Sequence, residues 1–273
     1  GDCKPSLHYM VDLTSRLAQI KALIDDGQYF VINRARQYGK TTTLSALEKY
    51  IDNEYIVFSL DFQTAMSSAK FADEYKFSSA FAKAIIRSAP KNDIPDDFAG
   101  AINALDKTAK GQYDLVDLFE QIGNICSVSP KPTVLIIDEV DSASNNQVFL
   151  DFLAQLRGCY LNRDTQPTFR SVILAGVHDI RNIQQKIRSE AEHKYNSPWN
   201  IASSFDVDMS LSQQGIANMI KEYASDHEVS IDAEHLSEIF INYTSGYPYL
   251  VSRICYLLDQ KVCDIFANNI SET

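Results

Sequence analysis

Tyr29-Phe-Val-Ile-Asn-Arg-Ala-Arg-Gln-Tyr-Gly-Lys-Thr-Thr-Thr-Leu44 is the stretch on which the fold turns. It reads as a buried strand, a tight loop ending in Gly39-Lys40-Thr41, and an amphipathic helix with Leu44, Leu47 and Ile51 inward. A phosphate needs that order: backbone N–H groups that can approach it, a helix N-terminus aimed at it, and a lysine to neutralise it. Gly39 lets the backbone approach, Lys40 reaches the β- and γ-phosphates, and the Thr41 hydroxyl suits Mg²⁺. The expected contacts are Arg36, Gln37, Tyr38, Gly39, Lys40, Thr41 and Thr42; Arg36 reads equally as solvent-facing. The full signature would put glycine at position 34, where this chain has Arg34, a departure that favours a differently shaped loop entry.

The second half of the reading is Pro132-Thr-Val-Leu-Ile-Ile-Asp-Glu-Val-Asp141. Val134 to Ile137 form an unbroken apolar run, as in a central parallel strand buried on both faces. Asp138 and Glu139 follow at the carboxyl end of that strand, where open α/β sheets bind ligands. Asp138 is expected in the Mg²⁺ shell, as a Walker B aspartate is, and Glu139 is expected to polarise an attacking water, with Lys40 as its catalytic partner. Asp61, ending the strand at 55–62, reads as an edge surface acid in preference to a water-linked member of the site.

Outward from these motifs, Leu13, Leu17, Ile20 and Ile24 make a helical stripe over 11–26, with Thr14 or Ser15 as N-cap and Gly27 as stop. Residues 64–128 read as mostly helical, broken at Pro90-Lys-Asn-Asp-Ile-Pro95. Further strands are expected at 133–138, 171–176 and Phe205–Met209, with a helix over 146–158. Strands separated by helices imply a mainly parallel sheet covered on both faces. From 210 onward the pattern is helical, with segments at Ser212–Ala224, Ala233–Tyr243 and Pro248–Phe266. The expected division is a core over 1–210, with a helical insertion near 64–128, and a helical lid over 211–273.

The 273 residues are 45% hydrophobic, ordinary for a globular chain with a sizeable core. No run reaches the roughly 18 apolar residues of a membrane span, and no signal peptide opens the chain, so no membrane partner is expected. Gly1 in place of an initiator Met reads as a cleavage boundary. Five scattered cysteines without C-x-x-C spacing point to reduced structural thiols and a cytoplasmic setting. A formal charge of −11 argues against non-specific DNA binding by this chain alone. Arg157, Arg163, Arg170, Arg181, Lys186 and Arg188 read as a solvated surface balancing its own acids.

The chain resembles the AAA-like P-loop ATPases of the additional-strand class, related to the signal-transduction ATPases with numerous domains. The residues that carry the resemblance are Arg34-Ala-Arg-Gln-Tyr-Gly-Lys-Thr-Thr42, His8-Tyr-Met-Val-Asp12, Ser197-Pro-Trp-Asn-Ile-Ala202 and Ser245-Gly-Tyr-Pro-Tyr-Leu-Val251. The resemblance implies an α/β P-loop fold, a mainly parallel five-stranded sheet of order 5-1-4-3-2 between helices, and a small helical lid. It also implies ATP and Mg²⁺ as cofactors. Tyr9 to Val11 would line the adenine pocket, and Gly246-Tyr247-Pro248 would touch the base through Pro248. His178, after the strand at 171–176, is the nearest candidate for a γ-phosphate sensor. If the chain forms an oligomer to hydrolyse ATP, an arginine finger is expected among Arg157, Arg163, Arg170 and Arg181, which nothing in the sequence ranks.

The function expected on these grounds is a slow Mg²⁺-dependent ATPase acting as a nucleotide-controlled switch toward a protein partner or a further C-terminal domain. A non-catalytic scaffold with a vestigial nucleotide site is the alternative that Arg34 favours. A third reading is the ATPase module of a larger nucleic-acid-processing protein, since related proteins often carry a nuclease domain. Adenine is favoured over guanine by default, because no Asn-Lys-x-Asp base-reading motif is present.

Overall fold

The computed structural model describes residues 8–92, 94–110, 113–143, 146–177, 203–204 and 208–270. The chain forms two compact units, one of Arg16–Ala35 and Leu44–Asp206, the other of Gly1–Ser15, Arg36–Thr43 and Val207–Thr273.

The first unit is built on a five-stranded sheet of order β2-β3-β4-β1-β5. Its strands are β1 (Tyr29–Asn33), β2 (Ile56–Asp61), β3 (Thr133–Asp138), β4 (Ser171–Gly176) and β5 (Ser203–Ser204). Every pairing is parallel, so the carboxyl ends of β1, β3 and β4 share one edge. Every residue of β3 and β4 is buried, which is why their sequences carry apolar runs in place of alternation. The strand order agrees with the expectation, and a fifth strand is described just before the expected Phe205–Met209. It falls at Ser203–Ser204, where two residues pair with Phe30 and Val31 of β1. Asp208 and Met209 carry no strand, and Phe205–Val207 lie outside the described residues.

Helix α1 (Thr14–Asp25) leads into β1. The expected cap at Thr14 or Ser15 is replaced by Asp12, whose carboxylate accepts from the Thr14 N–H at 2.8 Å and its hydroxyl at 2.6 Å. Gly27, left-handed at φ 67°, closes α1 as a Schellman turn, with Gly27 N–H bonded to Ile24 O and Gln28 N–H to Leu23 O. Helix α2 (Lys40–Ile51) follows β1, and the short α3 (Phe62–Ala65) follows β2. Helices α4 (Glu74–Ser88), α5 (Asp96–Lys110) and α6 (Leu115–Val128) fill the stretch before β3, and α7 (Gln147–Leu161) follows it. Asp73 caps α4, and Asp114 with Asp117 forms a capping box on α6, two local signals that fix where the chain turns helical. Between these helices and the sheet lies an aromatic core in which Phe152 meets Phe77, Phe81, Phe119 and Phe149 at 4.9–6.1 Å between ring centroids.

In the second unit, α8 (Gln213–Asp226), α9 (Ala233–Thr244) and α10 (Pro248–Ile270) follow one another. Ser212 caps α8 and Asp232 caps α9 through side-chain oxygens. Ile216, Ile220, Ala233, Phe240 and Val251 form a small core of their own. Among the described residues no helix is long and apolar enough to cross a membrane.

Candidate phosphate loop and carboxylate pair

The loop between β1 and α2 has two left-handed residues, Gln37 (φ 66°) and Gly39 (φ 77°). Gly39 meets nothing within 4 Å where a Cβ would sit, so its glycine is required by backbone conformation and not by crowding. Arg34 is not left-handed. Its N–H donates to Gly176 O at 3.2 Å, carrying the β1–β4 ladder one residue further, and its guanidinium donates to Asn33 O at 2.9 Å. A glycine at position 34 is therefore not needed for the path the chain takes here. Lys40 opens α2 and is only 6% exposed, whereas Thr41 is exposed and Thr42 half-buried. Thr43 N–H donates to Gly39 O at 2.8 Å, which joins the loop to the first turn of the helix. The Asn33 amide oxygen and the Thr43 hydroxyl are buried without a hydrogen-bond partner.

The same unit that holds this loop holds the Ser245-Gly246-Tyr247-Pro248 turn, and the structure brings the two together. Tyr247 donates its hydroxyl to Arg36 O at 2.9 Å, and its ring lies 4.6 Å from that of Tyr38. Pro248 is the first residue of α10, where its missing N–H costs no hydrogen bond. Tyr9 sits elsewhere in the unit. Its hydroxyl donates to Asp226 at 3.1 Å, and its ring packs edge-on against Tyr223 on α8 at 5.5 Å. Partial desolvation and the Asp226 carboxylate raise the Tyr9 pKa, which keeps the hydroxyl a donor. Val11 packs against Gly215 of α8, so tightly that a side chain at 215 would collide with it.

In the sheet unit, Asp138 ends β3 and is 8% exposed. Its carboxylate accepts from the Glu139 N–H at 2.9 Å. Glu139 is half-buried and left-handed at φ 55°, a conformation that non-glycine residues reach at a cost and that clusters at functional positions. Asp141 was not singled out as a site residue in the sequence. Its carboxylate accepts from the Val177 N–H at 2.6 Å and crowds the Cα of Gly176, tying the carboxylate turn to the end of β4.

Asp61 lies beside Asp138 in the β2–β3 register but caps α3, accepting from the Gln63 N–H at 2.8 Å and the Thr64 hydroxyl at 3.0 Å. Two of the arginines read as solvated surface are structural. Arg163 donates to Gly27 O at 2.9 Å and lies 4.1 Å over the Tyr160 ring, and Arg170 bonds to Asp25 O. Arg157 buries its Nε without a partner. His178, Arg181, Lys186, Arg188 and Ser197–Ala202 lie outside the described residues. Cys126, Cys159 and Cys255 are free thiols, and burial raises the pKa of each.

No protein-family model matches the chain, and no curated protein sequence does. Solved structures do. A Walker-type ATPase of Pyrococcus abyssi aligns with a TM-score of 0.54 at 10% identity, covering 97% of this chain and 77% of its own. The Aeropyrum pernix ORC2 protein, solved as ADPNP and ADP complexes, aligns with a TM-score of 0.50 at 12% identity, covering 87% of this chain and 58% of its own. At such identities the likeness speaks for the fold. The parallel sheet in the order β2-β3-β4-β1-β5, the loop entering α2 and the acids ending β3 agree with it: this chain has the AAA-like P-loop ATPase fold.

Proposed function

We propose that this chain binds an adenine nucleotide with Mg²⁺ and hydrolyses it slowly, as a switch read by a protein partner. The observation that carries the proposal is Lys40: a buried cation at the first position of a twelve-residue helix, directly after a left-handed glycine. A helix N-terminus is electropositive and presents backbone N–H groups that suit an anion, and Lys40 adds a positive charge at that point. The orphaned oxygens of Asn33 and Thr43, at the two feet of the same loop, are a further sign that it is built for groups beyond the chain itself.

Thr41 and Asp138 are oxygen donors of the kind Mg²⁺ takes, one or two from protein with the rest from phosphate and water. The metal would neutralise charge on the transferred phosphoryl group. Arg36 to Thr42 would supply backbone N–H groups to the phosphates. Glu139 would accept a hydrogen bond from the attacking water and orient it, and its left-handed backbone is the strain that such a role accounts for. The ADPNP and ADP complexes of the Aeropyrum protein support adenine as the base.

Titration calorimetry with Mg·ATP, Mg·ADP and Mg·GTP, with phosphate release in parallel, tests this on wild type, Lys40→Ala and Glu139→Gln. Lys40→Ala should weaken binding about tenfold to a hundredfold, the scale of a lost charge-assisted hydrogen bond. Glu139→Gln should bind as wild type does and lose phosphate release. Absence of wild-type binding at millimolar nucleotide would overturn the proposal and favour the scaffold.

A further inference from the structure

Gln37 is the second residue of the phosphate loop held left-handed, and unlike Gly39 it has a side chain that disfavours that state. Such a residue persists only where its surroundings over-determine it. One side chain reaches the residues on both sides of Gln37. Tyr247 donates its hydroxyl to the carbonyl of Arg36, immediately before Gln37, at 2.9 Å. Its ring packs on Tyr38, immediately after, at 4.6 Å between centroids and 38° between planes. The same hydroxyl is 3.4 Å from the Gln37 side-chain oxygen.

A trans peptide is planar, with its C=O and N–H pointing to opposite sides. Tyr247, by holding Arg36 O, therefore turns the Gln37 N–H the other way. Tyr247 is itself a rigid post. Its N–H donates to Thr244 O at 2.9 Å, Gly246 O accepts from the Leu211 N–H at 2.8 Å, and the fixed φ of Pro248 starts α10 directly after it.

We infer that Tyr247 is a positioning residue for the phosphate loop: it holds the Arg36–Gln37 peptide so that the Gln37 N–H is presented to a phosphate oxygen, and phosphate affinity thereby depends on the helical module that carries Tyr247. This rests on the nucleotide reading above and adds to it. The Gly-x-Pro resemblance implies contact with the base, whereas the observed contacts of Tyr247 predict an effect on phosphate even where no base is present.

The test uses the full chain as wild type, Tyr247→Phe, which keeps the ring and loses the hydroxyl, and Tyr247→Ala. Amide hydrogen exchange without nucleotide should speed up in peptides covering 34–43, about threefold to fivefold in Tyr247→Phe, the scale of one exposed hydrogen bond, and further in Tyr247→Ala. Exchange in α8 and α9 should stay at the wild-type rate. Mg·ADP and Mg·pyrophosphate should both weaken by the same factor in Tyr247→Phe. Loop exchange indifferent to both substitutions would overturn the inference, as would Tyr247→Phe weakening ADP while leaving pyrophosphate untouched, the signature of a base contact. A wild type that binds neither ligand overturns the nucleotide reading instead. The two failures are separable, because the first is read without nucleotide and the second without a variant.

Discussion

Replacing Gly246 by alanine and Ser245 by glycine should move stability in opposite directions, although the two residues are neighbours and both left-handed. Gly246 sits at φ 73°, and an alanine there costs about 1–2 kcal/mol from backbone conformation alone. A Cβ at 246 would also stand 3.1 Å from Leu211 N and 3.2 Å from Leu211 C, and closer still to Leu211 O. Those are backbone atoms that cannot rotate away. Making room stretches the Leu211 N–H to Gly246 O hydrogen bond, 2.8 Å long, a loss of about 1 kcal/mol. The expected destabilisation is therefore about 2–3 kcal/mol. Ser245 sits at φ 49° and is exposed. Glycine there relieves the left-handed penalty and gives back part of it as unfolded-state entropy, leaving a gain of about 0.5–1 kcal/mol. Urea unfolding followed by far-UV circular dichroism reads both, as midpoint shifts at constant slope. Shifts of the same sign, or a Gly246→Ala loss below about 0.5 kcal/mol, the range of an unremarkable surface change, would refute the reasoning.

Phe152→Ala removes the ring shared by Phe77, Phe81, Phe119 and Phe149 and should cost about 3–5 kcal/mol in urea; a loss under about 1 kcal/mol would mean that this core collapses around the gap at little cost. Cys126, packed beside the Thr133 hydroxyl at 3.2 Å, is pushed by burial to a pKa of about 12. The folded chain should therefore resist iodoacetamide at Cys126 until it unfolds, as mass spectrometry of the labelled peptide would report. Its folded pKa is raised above an unfolded value of about 8.5, so its contribution to stability is complete below that pH and is lost as pH climbs toward the folded value. Cys126→Ala should flatten this alkaline arm of the urea midpoint, and an unchanged arm would place its cause in another group.

Much of the sheet was legible in the sequence because burial on both faces leaves an unambiguous mark. Val134–Ile137 and Val172–Ala175 are apolar runs of strand length, the pattern of a central parallel strand buried on both faces. The described part of the fifth strand, just before the expected Phe205–Met209, was illegible for the converse reason. Ser203–Ser204 carries no apolar pattern, and its two pairings with Phe30 and Val31 are made by backbone atoms, to which side-chain periodicity is blind. The N-cap of α1 was missed by a similar margin. Asp12, as good a capping type as serine, reaches forward from outside the helix to the Thr14 N–H, a bond that the helical stripe does not mark.

The loop's place between β1 and α2 was legible in the sequence, and its conformation was not. Glycine announces a left-handed residue, as at Gly39, but a left-handed Gln37 or Glu139 is imposed by the fold and leaves no trace in its own letter. Nor could the loop's local sequence point to Tyr247, more than two hundred positions away along the chain, as the group bonded to Arg36 O. The missing glycine at position 34 invited the reading of a damaged loop, yet Arg34 simply continues β1 beside Gly176. The conformational demand had moved to position 37, where glycine would leave the peptide soft. Gln37 narrows the states open to the unbound loop, and a loop already held in one state has less ordering left to oppose binding. Substituting glycine at 37 would relax the strain and release that restraint together, so under the proposed nucleotide function any gain in stability in urea should come with weaker Mg·pyrophosphate binding by calorimetry.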